Sequence, residues 1–150
     1  MPTQPGPILA EDWPTEPGNY VLFLTLAEPL TLAVGRLGRF ALALGHYAYV
    51  GSAHGPGGLR VRLSRHLRAE KRPHWHVDYL TAALPIRHIH AVADPRKLEC
   101  AWTRQLLALP GASTPIPGFG NGDCRERCPA HLVRLPEDCD VVRLAETLRA

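Results

Sequence analysis

The sequence predicts an α+β domain, with a small antiparallel sheet of three or slightly more strands flanked by helices. Short apolar runs alternate with Gly and Pro turns in the first third of the chain, and leucines recur at helical spacing just after them. Strand-like and helical patterns then alternate in the remainder. With 45% hydrophobic and 21% charged residues, the 150-residue chain has the composition of one globular domain.

The strands are predicted where aromatic and β-branched residues lie between turn residues. Glu28-Pro29, residues 35–39 and Gly45-His46 separate the first four runs, as expected of an antiparallel meander. Two shorter runs later in the chain predict further strands. The predicted strands are residues 19–26, 30–34, 40–44, 47–50, 86–92 and 132–135.

Helices are predicted from apolar periodicity and from end signals. Leucines recur every four residues from position 59 to 67, with bases between them, which indicates an amphipathic helix. Asp94 and Pro95 are typical of a helix start, with Asp as N-cap and Pro at the first helical position. The helix that they begin is expected to end at Leu109. Residues 74–82 and 141–148 predict two shorter helices.

The chain is predicted to consist of a Pro-rich leader, residues 1–17, and a single domain, residues 18–150. The leader contains no Lys or Arg and is interrupted by prolines, so it lacks the basic and apolar parts of a signal peptide. No apolar run approaches the roughly 20 residues that cross a bilayer. We therefore expect a cytoplasmic protein without membrane contact, and a monomer, with a dimer as the alternative.

Positive charge is concentrated in one segment. The formal net charge is only +3, but residues 60–72 contain six basic residues and the single acid Glu70. Lys and Arg bind phosphates with little dependence on base sequence. This segment and the two histidines after it are candidates for contacting the phosphates of DNA, or of RNA, with one of the two histidines expected to face a functional site. The candidate residues are Arg60, Arg65, Arg68, Lys71, Arg72, His74 and His76.

Five residues combine chemistry with a suggestive position. Tyr20 begins the first strand and Tyr49 ends the fourth, and adjacent strands can bring both phenols to one edge. Arg62 and His66 are four residues apart, so they share one face of their helix beside its leucine stripe. Glu99 is expected at the fifth position of its helix, where a capping box does not explain it.

In this order, these residues resemble the motifs of the GIY-YIG nuclease superfamily. Tyr20 ends the sequence Gly-Asn-Tyr, Tyr49 begins Tyr-Val-Gly-Ser-Ala, and Arg62, His66 and Glu99 follow. Further segments are similar to a little-characterised branch that occurs alone or fused to endonuclease-III-type DNA glycosylases. The resemblance covers about residues 17–136, and those further segments are residues 47–66, 74–76, 117–120, 123–124 and 128–132.

The resemblance implies a phosphodiesterase that cuts DNA with one divalent ion, Mg²⁺ or Mn²⁺, held by Glu99. It implies that Tyr20 and Tyr49 position or deprotonate the attacking water, that Arg62 stabilises charge on the phosphate, and that His66 assists. Cutting is expected to be structure-selective or non-specific, in DNA repair or processing.

Two departures from the family pattern and one further candidate residue remain. Asn19 stands where the family name has Ile, and we expect this to be harmless. A longer spacer leaves Arg60 as a rival for the arginine role. Asn121 is a candidate for the family's late asparagine.

The residue types fit this chemistry. Mg²⁺ suits a site of one carboxylate plus waters and phosphate oxygens, and phosphodiester hydrolysis needs cations where negative charge develops. A tyrosine base is harder to explain, because its ordinary pKa is about 10. We expect the metal and Arg62 to lower that pKa, and we expect the highest activity at alkaline pH.

Cys124, Cys128 and His131 have the spacing and the soft ligands of a zinc site. The fourth ligand of a structural Zn²⁺ would be Cys139, His74 or His76, and the alternative is that reduced thiols simply pack the C-terminal loop. Two functions therefore compete with the nuclease. One is a nucleic-acid-binding module of the same fold that does not cut, and the other is a zinc-stabilised interaction domain.

Overall fold

The computed structural model describes residues 12–68, 72–121, 124 and 126–149, and the α+β class is confirmed. Within these residues lie six strands and four α-helices, with a 3₁₀ turn at Gly35–Leu37. The strands are β1 (Gly18–Leu26), β2 (Leu30–Val34), β3 (Gly38–Leu42), β4 (Gly45–Ala53), β5 (Ile86–Ala93) and β6 (Leu132–Arg134). The helices are α1 (Gly58–Leu67), α2 (His76–Ala83), α3 (Glu99–Leu107) and α4 (Val141–Glu146).

The strands form one four-stranded antiparallel sheet in the order β5-β1-β4-β6, and a separate hairpin of β2 and β3. The predicted meander is therefore wrong in its pairing, since β1 pairs with β4 and β5 and not with β2. β1 is a central strand, buried at every residue except Thr25. Its two edges are occupied by strands that come later in the chain, which a local pattern cannot reveal.

The sheet lies between two helical layers. Successive side chains of β1 point to opposite faces. Tyr20 and Leu22 belong to the core cluster that includes Leu63 of α1. Phe23 belongs to a second cluster, around Trp102 of α3. Among the described residues, no helix is long and apolar enough to span a membrane.

Helix α1 begins where the chain packs against the described end of the leader. The amide of Leu59 donates to the carbonyl of Glu16, and the amide of Arg60 donates to Pro14. Gly58 has a φ of +58°, and a Cβ there would lie 2.2 Å from the carbonyl oxygens of residues 15 and 16. Only glycine leaves room for this contact.

Helix α3 begins at Glu99 and not at Asp94-Pro95, so that predicted helix start is wrong. The Asp94 carboxylate accepts from the amide and the guanidinium of Arg96 at 2.8 Å, and therefore closes a turn instead of capping a helix. Glu99 is the first helical residue, where the positive end of the helix dipole lies.

Candidate functional site

A polar cleft of about 460 Å³ opens where β1, β4, α1 and the start of α3 meet. Its wall is completed by the start of α2 and by the loop before β6. Tyr20, Tyr49, Arg62 and Glu99, which the sequence separates by up to 79 residues, all line it. The other lining residues are Gly51, Ser52, His54, Gly55, His74, Trp75, His76, Lys97, Gly120, Cys124 and His131.

Strand register brings the two phenols to this cleft. Tyr20 lies opposite Gly51 and Tyr49 lies opposite Leu22, so the tyrosines are diagonal neighbours on one face of the sheet. A Cβ at Gly51 would lie 2.6 Å from the Tyr20 hydroxyl. Glycine at this position therefore makes the space that the Tyr20 ring occupies.

Tyr20 is fully buried, and its hydroxyl lies 2.6 Å from Nε2 of His66, which is also buried. Burial raises the pKa of Tyr20 well above its ordinary 10.0, and Tyr49 adds to this effect. The Arg62 guanidinium acts in the opposite direction but is outweighed. Arg62 thus lowers the pKa of Tyr20 as expected, but burial dominates and the net shift is upward. Tyr20 keeps its proton at neutral pH.

Arg62 lines the cleft, and its guanidinium carbon lies 4.2 Å from the centre of the Trp75 ring. Its rival Arg60 is exposed and does not line the cleft. Nε of Arg60 donates to the carbonyl of Trp13 at 2.8 Å. The geometry thus separates the two arginines that the sequence left as alternatives.

Glu99 is the one carboxylate among the described residues that line the cleft. It is half-buried at the start of α3, and Ser52 Oγ donates to its Oε1 at 3.2 Å. A single carboxylate beside open space leaves most positions around an ion to water and substrate. This donor set suits Mg²⁺ or Mn²⁺.

Asn19 fixes the turn that leads to Glu99, a role that the sequence analysis missed. Its side chain is buried, its Nδ2 donates to the carbonyl of Arg96 at 2.8 Å, and its Oδ1 accepts from the amide of Leu98 at 2.9 Å. An apolar residue at this position would satisfy neither backbone group. Asn19 is therefore a positioning residue for the turn before Glu99, and both polar groups of its side chain are satisfied where the family name has Ile.

We expect Asn19→Ala to destabilise the fold by about 1–3 kcal/mol, because a buried amide and carbonyl would lose their partners. Chemical unfolding with urea measures this. Asn121→Ala is the matched control, since the Asn121 side chain donates to the Cys128 carbonyl and does not line the cleft. Equal accessibility of the 96–99 backbone to hydrogen exchange in Asn19→Ala and in the wild type would contradict the positioning role.

His74 and His76, the two histidines after the basic segment, both line the cleft, although only one of them was expected to face it. His74 is exposed, with its ring 5.0 Å from that of Trp75. Nδ1 of His76 accepts from the amide of Gly120 at 2.9 Å, which attaches the start of α2 to the loop before β6.

The predicted phosphate-binding arginines lie outside the cleft. Arg65 is engaged within the protein, since it donates to Asp78 at 2.7 Å and to the carbonyl of Arg72 at 3.1 Å. Arg68 and Arg72 are exposed, and Lys71 lies outside the described residues.

Four possible metal ligands lie close together beside the cleft. This Cys/His cluster consists of Cys100, Cys124, Cys128 and His131. Their ligand atoms all lie within 4.8 Å of one another, and the sulfurs of Cys100 and Cys124 are 3.7 Å apart. The expected fourth ligand, Cys139, His74 or His76, is therefore corrected to Cys100. No spacing rule pointed to it, because Cys100 is 24 residues from the next member. The cluster can hold a metal ion such as zinc.

The electrostatics of this cluster differ from one thiol to the next. Burial raises the pKa of Cys124, but hydrogen bonds from the backbone of Cys128 and of Glu126 stabilise its thiolate and bring the pKa down to about 6. Burial raises the pKa of Cys100 and that of Cys128. A lowered pKa of Cys124 favours the anionic form of the sulfur that metals bind.

Comparison with known proteins gives a family but no function. No curated protein matches the chain, and no solved structure does. A family model described as a domain of unknown function, DUF123, matches residues 19–149. The match includes all the residues that line the cleft and all four members of the Cys/His cluster. The chain therefore belongs to the DUF123 family.

Proposed function

We propose that the protein is a divalent-metal-dependent phosphodiesterase that cleaves DNA. The observation that supports this most is the convergence of two phenols, one guanidinium and one carboxylate in a single cleft. Phosphodiester hydrolysis needs these groups together: a metal ligand, a fixed cation and a group that orients water. The ordered resemblance to GIY-YIG motifs supports the same chemistry.

Glu99 is the residue that would hold Mg²⁺ or Mn²⁺. Such an ion would polarise the phosphate and lower the pKa of its bound water. Arg62, held against Trp75, would place its positive charge beside the phosphate oxygens, where negative charge develops. These two residues therefore supply the electrostatic part of catalysis.

The two tyrosines would have different tasks. Tyr20 is fully buried and hydrogen-bonded to His66, so it is placed to orient groups in the cleft. Tyr49 is slightly more exposed, at 8%, and its ring packs edge-on against Phe119 and His66. Tyr49 is thus the better-placed phenol to orient or deprotonate the attacking water.

The substrate class is a nucleic acid, and DNA is preferred over RNA in this proposal. Arg62, Lys97, His74 and His76 make the cleft suitable for a polyanion. The exposed Arg68 and Arg72 could contact phosphates beyond it. None of these contacts distinguishes one base from another, so structure-selective or non-specific cutting follows. A cytoplasmic monomer fits this role.

The test is incubation of labelled single-stranded, duplex and branched DNA, and of RNA, with Mg²⁺ or Mn²⁺. We expect metal-dependent cleavage products. Tyr49→Phe should lower the cleavage rate by about a hundredfold, because it removes the hydroxyl that contacts the reacting water.

Tyr79→Phe is the matched control, since Tyr79 lies on α2 outside the cleft. A shift of every probe without cleavage would favour the binding module instead. Equal rates in Tyr49→Phe and Tyr79→Phe would remove Tyr49 from the mechanism.

The Cys/His cluster favours a further role for a second ion. Three thiols and an imidazole are the ligands of a structural zinc and not of Mg²⁺. A structural Zn²⁺ would therefore be a different ion from the catalytic one.

A further inference from the structure

We propose that the Cys100, Cys124, Cys128 and His131 cluster is a zinc site whose ion positions Glu99 and one wall of the cleft. The effect on catalysis rests on the proposed nuclease function, but the zinc site itself does not.

His131 presents a lone pair to the three sulfurs. The Thr103 hydroxyl donates to the backbone carbonyl of Glu99 at 2.7 Å, so its only proton is used. It must then accept from Nδ1–H of His131, 2.9 Å away. In the neutral imidazole, Nε2 then carries a lone pair and no proton. This atom is buried, with no hydrogen-bond partner in the described residues. A ring nitrogen of His131 lies within 4.8 Å of the three sulfurs.

A buried imidazole nitrogen without a hydrogen-bond partner lowers the stability of the fold unless a ligand or ion occupies its lone pair. A metal ion removes that cost, and the Nδ1 hydrogen bond to Thr103 is the type of second contact that orients histidine ligands. Three thiols with one imidazole are typical of a closed, four-coordinate zinc site.

The site is connected to the catalytic residue in two ways. Cys100 is the next residue after Glu99 on α3, so an ion on its sulfur would fix the first turn of that helix. Thr103 adds the second connection, because it joins His131 to the Glu99 carbonyl.

The loop wall is attached to the same histidine. The His131 amide donates to the carbonyl of Phe119 at 2.8 Å, and the next residue, Gly120, has a φ of +75°. A Cβ at Gly120 would lie 2.9 Å from the Tyr49 ring. An ion held by His131 would thus stabilise the wall that confines Tyr49.

The first experiment measures the zinc content of the purified full chain. We expect one zinc per chain in the wild type, loss in Cys100→Ser, and retention in Cys139→Ser, whose thiol is outside the cluster. The zinc site would be overturned if the wild-type protein contained no zinc and bound none when zinc was added. It would also be overturned if Cys100→Ser still contained one zinc per chain. A disulfide between Cys100 and Cys124 in place of the metal would overturn it as well.

A spectroscopic measurement covers the case in which Cys100→Ser does not fold. Wild-type protein loaded with Co²⁺ should show the strong near-ultraviolet absorption of thiolate–cobalt bonds and a tetrahedral visible spectrum. An octahedral cobalt spectrum without thiolate bands would contradict the ligand set.

The coupling to catalysis is tested at Thr103, which binds no metal. Thr103→Val should weaken zinc binding by 10–100-fold and raise the Mg²⁺ concentration needed for half-maximal cleavage several-fold. Thr103→Ser keeps the hydroxyl and should restore both values. Wild-type values for both in Thr103→Val would overturn the coupling. If no variant and no wild-type protein cleaves DNA, the nuclease fails while the zinc measurements still decide the site.

Discussion

Glu99→Gln is expected to lower metal-dependent cleavage by roughly a thousandfold while leaving the fold intact. Glutamine keeps the size of the side chain and can still accept from Ser52, but it lacks the charge that holds a divalent ion. Lewis-acid stabilisation is worth several kcal/mol, and each 1.4 kcal/mol changes the rate tenfold. Single-turnover cleavage at a Mg²⁺ concentration near half-saturation of the wild type measures the loss.

Glu137→Gln is the matched control, because Glu137 is exposed and outside the cleft. Excess Mn²⁺ should recover part of the activity of Glu99→Gln if the defect is weak metal binding. A Glu99→Gln rate within tenfold of the wild type would exclude Glu99 as the metal ligand. Zinc content should stay unchanged in this variant, which separates the two metals.

Asp78→Ala is expected to destabilise the protein by about 3 kcal/mol, at the lower end of the range for breaking a buried ion pair because Arg65 is partly exposed. The buried Asp78 carboxylate accepts from the amides of His74 and Trp75 and from the Arg65 guanidinium. It thereby joins α1 to the start of α2. Equilibrium unfolding in urea measures the change, with the exposed Asp138→Ala as control.

The effect of Asp78→Ala should depend on pH in a defined direction. Burial raises the pKa of Asp78, but the amides of Trp75 and His74 and the Arg65 guanidinium together hold it below the ordinary 3.8. A lowered pKa in the folded state means that the stabilisation is complete above pH 3.8 and is lost as the pH falls through the folded-state value. The difference in stability between the wild type and Asp78→Ala should therefore be constant near neutral pH and shrink in acid. A difference that grows in acid would contradict this assignment.

Local signals in the sequence predicted the types of most elements but not how the strands pair. Helix α1 lies where the leucine period placed it, and β1 and β5 lie close to their predicted bounds. The predicted meander pairing was wrong because the partners of a central strand are distant in the chain and are selected by burial of both its faces. Local alternation of apolar and polar residues does not encode that selection. The start of α3 failed because the Asp94 carboxylate binds Arg96 and not the helix amides.

In the candidate site, too, residue types could be predicted from the sequence, whereas long-range contacts could not. Tyr20, Tyr49, Arg62 and Glu99 were singled out by type and order, and the structure brings them to one cleft. Asn19 and Cys100 were missed because their roles depend on contacts across long stretches of chain. No short motif contains both Asn19 and the 96–98 backbone, or both Cys100 and Cys124.

The stacking of Arg62 on Trp75 has a consequence for affinity. A long, flexible side chain normally loses conformational entropy when a ligand immobilises it, which weakens binding by about 0.5–1.5 kcal/mol. The indole ring already restricts the guanidinium, which lies 4.2 Å from its centre. Most of that ordering takes place when the chain folds, so under the proposed function a phosphate bound beside Arg62 would meet a preorganised charge.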